Sequence, residues 1–109
     1  MSERFTLQFS TGESIEVWGT GIIGRAPTTQ PGEYVDHVIP VGDPSRSMSK
    51  THLEFGQDNG GFWVSDRWSG NGTTVIAPDR RIRRCEPGKR LPVERGSRVE
   101  LGDQFFTVG

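Results

Sequence analysis

Four side chains of this chain are of the types that hold an oxyanion: Arg25, Ser49, Lys50 and Asn71. Arginine offers a planar donor fork that takes carboxylate or phosphate oxygens in pairs. Serine adds a hydroxyl and lysine a second positive charge. Asparagine adds an amide with donors and an acceptor, able to bridge another main chain. The four fall in three short segments, Gly24-Arg25, Ser49-Lys50-Thr51-His52, and Asp66-Arg67-Trp68-Ser69-Gly70-Asn71-Gly72-Thr73. Each segment alone is commonplace. An arginine in a turn is usually solvated, a serine there stabilises the turn, and Asn-Gly is a frequent turn dipeptide.

Other chemistries are poorly supplied. The single cysteine, Cys85, and the separated histidines His37 and His52 give no metal-ligand cluster. His52 and Asp66 are present, but no nucleophile-elbow context accompanies them. Gly19 to Gly24 matches the dinucleotide-binding glycine pattern letter for letter. A dinucleotide site needs those glycines between a strand and a helix, and Pro27 and Pro31 follow here instead. Ser47-Met48-Ser49-Lys50 fits the S-x-x-K pattern without its companion motifs. Asn71-Gly72-Thr73 fits the glycosylation acceptor, which a cytoplasmic chain does not use. No catalytic residue, metal, cofactor or small-molecule substrate is expected.

The elements that must position these residues are strands. Apolar residues alternate with polar ones at Phe5-Leu7-Phe9, Ile15-Val17, Leu53-Phe55 and Val99-Leu101. Short apolar runs stand at Ile22-Ile23, Val38-Ile39, Phe62 to Val64, Thr73 to Ile76, around Ile82, at Leu91 and Val93, and at Phe105 to Val108. Fifteen glycines and seven prolines punctuate them, and no helical stripe competes. The pattern predicts an all-β chain: a β-sandwich of about eleven short, mostly antiparallel strands, with ligand loops at one end. The longest irregular stretches, Ala26 to Tyr34 and Gly42 to Thr51, are candidates for function.

The 109 residues suit one domain, 1–109, with no internal repeat or linker, and are consistent with a module excised from a larger protein. The lone cysteine points to a reducing compartment, and no secretory leader or apolar membrane span is visible. A cytoplasmic location is expected, or a cytoplasm-facing domain that meets a membrane only through a host segment outside the sequence.

In their order and separation the three segments resemble the forkhead-associated (FHA) domain family, bacterial type. That family shows a Gly-Arg pair, then Ser-x-x-His, then Asp-x-x-Ser-x-Asn-Gly-Thr. The Glu100-Leu101-Gly102-Asp103 to Phe106 stretch is similar to its closing strands. The resemblance implies a phosphothreonine-dependent peptide-binding module in serine/threonine-kinase signalling, and no enzyme. A phosphothreonine carries about −1.5 to −2 charges near neutral pH. By the resemblance, Arg25 anchors the phosphate, Ser49 and Lys50 complete its cage, Gly70 lines the pocket and Asn71 fixes the peptide chain. Gly24, His52, Asp66 and Ser69 support the site structurally. The partner is then a threonine-phosphorylated protein or peptide.

Two positions depart from the family. Lys50 stands where arginine is commoner, keeping the charge and losing the fork. Gly70 stands where a threonine or serine hydroxyl often helps hold the phosphate, so weaker or altered ligand preference is expected. The loop Gly42 to Met48 should border the groove, with Arg46 adding charge. These departures keep a phosphate-independent interaction domain as the second reading. Arg80, Arg81, Arg83, Arg84, Lys89, Arg90, Arg95 and Arg98 leave open a third, electrostatic nucleic-acid binding. With a formal net charge of −1 overall, charged outer faces of edge strands are the favoured account of that segment.

Overall fold

The structure is a computed structural model, and it describes residues 3–109. Eleven strands form without a helix among the described residues. They are β1 (Phe5–Phe9), β2 (Ser14–Val17), β3 (Gly21–Gly24), β4 (His37–Pro40), β5 (Leu53–Asp58), β6 (Gly61–Asp66), β7 (Thr73–Ile76), β8 (Ile82–Arg84), β9 (Leu91–Val93), β10 (Arg98–Leu101) and β11 (Gln104–Val108). The all-β sandwich expected from alternation is the observed fold. Each apolar pair or run noted in the sequence lies on one of these strands.

The strands make two sheets. One has the order β2-β1-β11-β10-β7-β8, the other β4-β3-β5-β6-β9. Every pairing is antiparallel except β3 with β4, which run parallel in the register Gly21–His37 to Gly24–Pro40. A parallel pair needs a crossover. Here the irregular stretch after Gly24 supplies it.

Alternation builds the core. In β1, Phe5, Leu7 and Phe9 are buried while Thr6 and Gln8 are exposed. Phe5 crosses to Phe62 of the other sheet at a ring-centroid distance of 5.1 Å, and Phe62 stacks on Phe55 at 5.5 Å. Each such fully buried ring contributes roughly 1.5–3 kcal/mol of transfer free energy. In β6 both neighbours of the alternation are covered. Phe62 lies in the core, while the Trp63 indole lies under the Arg90 guanidinium, 4.1 Å from its centroid. Gly56 faces that indole across the β5–β6 ladder, and a Cβ there would overlap it.

Strand direction decides where the loops gather. The ends of β3, β4, β6, β8 and β10 and the starts of β5, β7 and β11 fall at one end of the sandwich. The three segments singled out by their chemistry all lie there.

Candidate functional site

The site is built around the short segment Ser47-Met48-Ser49, which connects β4 to β5. Met48 is 1% exposed and plugs the segment into the core. Asp43 holds it from the other side. Its carboxylate accepts from the Met48 N–H at 2.6 Å and from the hydroxyls of Ser45 and Ser47. Burial pushes the Asp43 carboxyl up, but the bonds from Met48, Ser45, Ser47 and Gln104 outweigh it and hold the group below its ordinary value. The segment also rests on the β10–β11 turn, where the Ser47 hydroxyl accepts from the Asp103 N–H at 2.8 Å.

Gly24 ends β3 directly against the next residues. A Cβ on Gly24 would overlap the Lys50 carbonyl, so only glycine lets the two backbones meet. That contact is sealed by bonds from the Arg25 and Ala26 N–H groups to the Ser49 and Lys50 carbonyls, at 3.2 and 3.1 Å. The Arg25 side chain is half-buried. Its Nε donates to the Met48 carbonyl at 3.0 Å. Both terminal Nη groups are without a partner among the described residues, so the fork is fixed at its base and free at its tip.

The third segment closes on the same place. The Ser49 hydroxyl accepts from the Gly70 N–H at 2.9 Å, and Asn71 Nδ2 donates to the Ser47 carbonyl at 2.7 Å. The Ser49 O–H, the second Asn71 N–H and Asn71 Oδ1 remain for a ligand. Lys50 is exposed, and its ammonium pairs with no acid among the described residues. Arg25, Ser49, Gly70 and Asn71 are therefore joined through three consecutive residues, with Lys50 beside them. Arg46 lies at the exposed tip of the same loop, at a positive φ of 57°.

Behind this rim sits a buried polar layer. His52 is 0% exposed. Its Nδ1 accepts from the Ser49 N–H at 3.1 Å, which places the ring proton on Nε2, 2.8 Å from the Gly72 carbonyl. Burial pushes the imidazole below its usual value of 6.5, against the opposing pull of the Gly72 carbonyl and of Asp66 and Asp43. The ring is thus neutral, and its 3.9 Å approach to Asp66 is not an ion pair. The buried Asp66 carboxylate accepts from the Ser69 hydroxyl, the Ser69 N–H and the Thr73 hydroxyl, at 2.5, 3.1 and 2.8 Å. It shapes the turn that presents Gly70 and Asn71.

Sequence reasoning passed over several residues here. Asp43 was visible only as part of a long loop, although Asp-Pro-Ser is a turn signal whose carboxylate commonly bonds main chain ahead of it. Ser47 and Met48 act through main-chain carbonyls, for which side-chain type gives no signal. Arg84 was grouped with a charged edge, yet its Nη2 donates to the Asn71 carbonyl at 2.8 Å. Thr51 accepts from the Thr28 N–H at 3.1 Å, tying the 26–34 loop to the same end. Trp68, 75% exposed and at a positive φ of 50°, and Tyr34, 93% exposed, stand out on this side of the fold.

The FHA domain family model matches residues 21–102, from β3 through the β10–β11 turn. Among solved structures, the chain is similar to an FHA domain from a structural and functional analysis of phosphothreonine-dependent FHA interactions. Identity is 26% and the TM-score 0.68, over 97% of this chain and 95% of that one. The FhaA FHA domain, in complex with the intracellular domain of Rv3910, shows 25% identity and a TM-score of 0.68 over 96% and 99% of the two chains. The FHA domain of the CT664 protein from Chlamydia trachomatis, at 22% identity and a TM-score of 0.72 over 97% and 96%, shares the fold. No curated protein sequence is similar enough to this chain to count as a relative.

Proposed function

The chain belongs to the FHA domain family, and from that premise we propose that it binds threonine-phosphorylated proteins through the Ser47–Ser49 rim. One observation carries the reading: the Arg25 guanidinium is anchored by Nε while both Nη groups are unpaired, beside the Ser49 hydroxyl and the Lys50 ammonium. A phosphate ester offers the charge and acceptor oxygens those donors lack. Asn71, bonded to the Ser47 carbonyl through one N–H, keeps a donor and an acceptor for the peptide main chain. Similar FHA domains support it, one studied for phosphothreonine-dependent interactions and one solved with a partner protein's intracellular domain.

In this reading Arg25, Ser49, Lys50, Gly70 and Asn71 contact the ligand, while Gly24, His52, Asp66 and Ser69 hold them in place. The whole of 1–109 acts as one binding module in kinase signalling, working on the cytoplasmic side. Catalysis is not part of the proposal. His52 spends both ring nitrogens on main-chain bonds, and Cys85 is buried with its thiol pushed up to about 11 by burial and by Asp66.

Titration calorimetry against matched phosphothreonine and threonine peptides tests the proposal. Binding should require the phosphate. Arg25→Ala should weaken it by about ten- to a hundredfold, since hydrogen bonds to charged groups are worth roughly 1.5–3 kcal/mol. Equal binding of both peptide forms would refute the phosphate role and favour a phosphate-independent interaction surface.

A further inference from the structure

A cavity lies away from the rim, toward the other end of the sandwich. It opens between β8 and β9, the edge strands of the two sheets, and has a volume of about 510 Å³. That is within the usual size of small-molecule sites, roughly 300–1,000 Å³. Its walls include Val75, Leu91 and Val93, so the floor is the open flank of the hydrophobic core.

Three features say what would fill it. First, Arg83 stands directly opposite Val75 in the β7–β8 register, so both belong to the sheet's inner face. Val75 is buried there, whereas Arg83 brings a positive charge over the apolar floor and pairs with no acid among the described residues. Second, Ser97 lines the cavity, is 1% exposed, and its hydroxyl has no hydrogen-bond partner among the described residues. Buried hydroxyls are seldom left so. Third, Pro92 sits in the middle of β9 and has no N–H, which bars an added strand along that edge. The other charges at the mouth are already engaged or opposed. Arg81 pairs with Asp79 at 2.7 Å, Arg95 with Glu3 at 3.4 Å, and Glu94 contributes one carboxylate.

We propose that the β8–β9 cavity binds a small amphipathic anion, its apolar body between Val75 and Val93, its acidic head at Arg83, with Ser97 supplying a further hydrogen bond. A purely apolar ligand would leave Arg83 and Ser97 unanswered. A free inorganic anion would leave the floor open to water. Dodecanoate is a suitable probe, with dodecan-1-ol as its uncharged counterpart.

The test follows main-chain amide shifts of the intact chain by NMR while dodecanoate is added below its micelle concentration. Saturable shifts at Val75, Val93 and Ser97 are expected, weakened about tenfold in Arg83→Gln and severalfold in Ser97→Ala, with dodecan-1-ol weaker than dodecanoate. Phosphothreonine-peptide binding, read on the same samples, should be unchanged in both variants. Absence of saturable shifts up to about 1 mM would overturn the proposal. So would equal affinity in Arg83→Gln, or shifts spread over the surface as a detergent would give.

Discussion

A Cβ placed on Gly70 meets nothing nearer than the Ser49 hydroxyl at 3.9 Å, and the residue has no left-handed φ to protect. A side chain is therefore tolerated at this position beside the Ser49 hydroxyl. Gly70→Thr should strengthen phosphothreonine-peptide binding by about fivefold, one added hydrogen bond at roughly 1 kcal/mol, while leaving the thermal midpoint unchanged. Calorimetry and a melting curve on the same variant check both halves. His52 sets a pH dependence. The unfolded chain's histidine titrates near 6.5, whereas the buried ring holds its proton less tightly. Below that value the unfolded state takes up the proton first. Stability is therefore fully present above about 6.5 and is lost as pH falls toward the folded-state value. Urea midpoints should be flat just above neutrality and decline on the acid side, with His52→Gln removing that acid decline. Protonation of the folded ring, which takes place only below that range, would set Nδ1–H against the Ser49 N–H, so ligand affinity should fall at lower pH than stability does.

At the scale of elements, the close approach of β3 to the β4–β5 connection is the most exacting contact. Gly24→Ala forces the Lys50 carbonyl away and strains the bonds from the Arg25 and Ala26 N–H groups. A loss of about 1–3 kcal/mol is expected from overpacking, together with weaker peptide binding because Arg25 follows directly. Gly56→Ala, overlapping the Trp63 indole, should cost similar stability and leave binding intact. The pair separates damage to the fold from damage to the rim, by chemical denaturation and peptide titration together. The strands were legible because each is short and one face is buried, so alternation survives in the sequence. Their order was not, and neither was the parallel β3–β4 pair. Apolar spacing reports that a face is buried and is silent on which neighbour buries it. The same limit applied to the site. Arg25, Ser49 and Asn71 were visible by type and spacing, whereas the carbonyls of Ser47 and Met48 that position two of them carry no signature. Asp43, the carboxylate that organises this segment, was visible only as one residue of a long loop.

For the whole molecule, the charged stretch from Arg80 to Arg98 dissolves into separate local roles. Arg81, Lys89, Arg95 and Arg98 pair with Asp79, Glu86, Glu3 and Glu100 at 2.7–3.4 Å. Arg90 covers Trp63, and Arg84 reaches the Asn71 carbonyl. Exposed pairs of this kind contribute little stability. Their effect is to neutralise four of the eight basic side chains of the stretch and to break up any continuous patch, so a gel-shift assay with DNA or RNA should show no complex at physiological salt. Cys85 adds an alkaline limit. Its thiol rises from 9.0 to about 11 in the fold, so stability is present below 9.0 and declines between those values as the unfolded thiol ionises first. Cys85→Val should flatten that limb of the pH–stability curve.

β1 and β11 run antiparallel as neighbours, and Thr6 and Gly109 exchange main-chain hydrogen bonds of 3.0 and 2.7 Å at the pole away from the rim. Tension applied across residues 3 and 109 therefore peels the two strands apart one rung at a time, like a zipper drawn from its open end. Tension between a bound peptide and either end instead runs lengthwise along the strands, where several rungs share the load together. The domain should yield at low force when stretched between its two ends and resist much higher force when pulled through its ligand, an asymmetry that single-molecule pulling along the two axes would read directly.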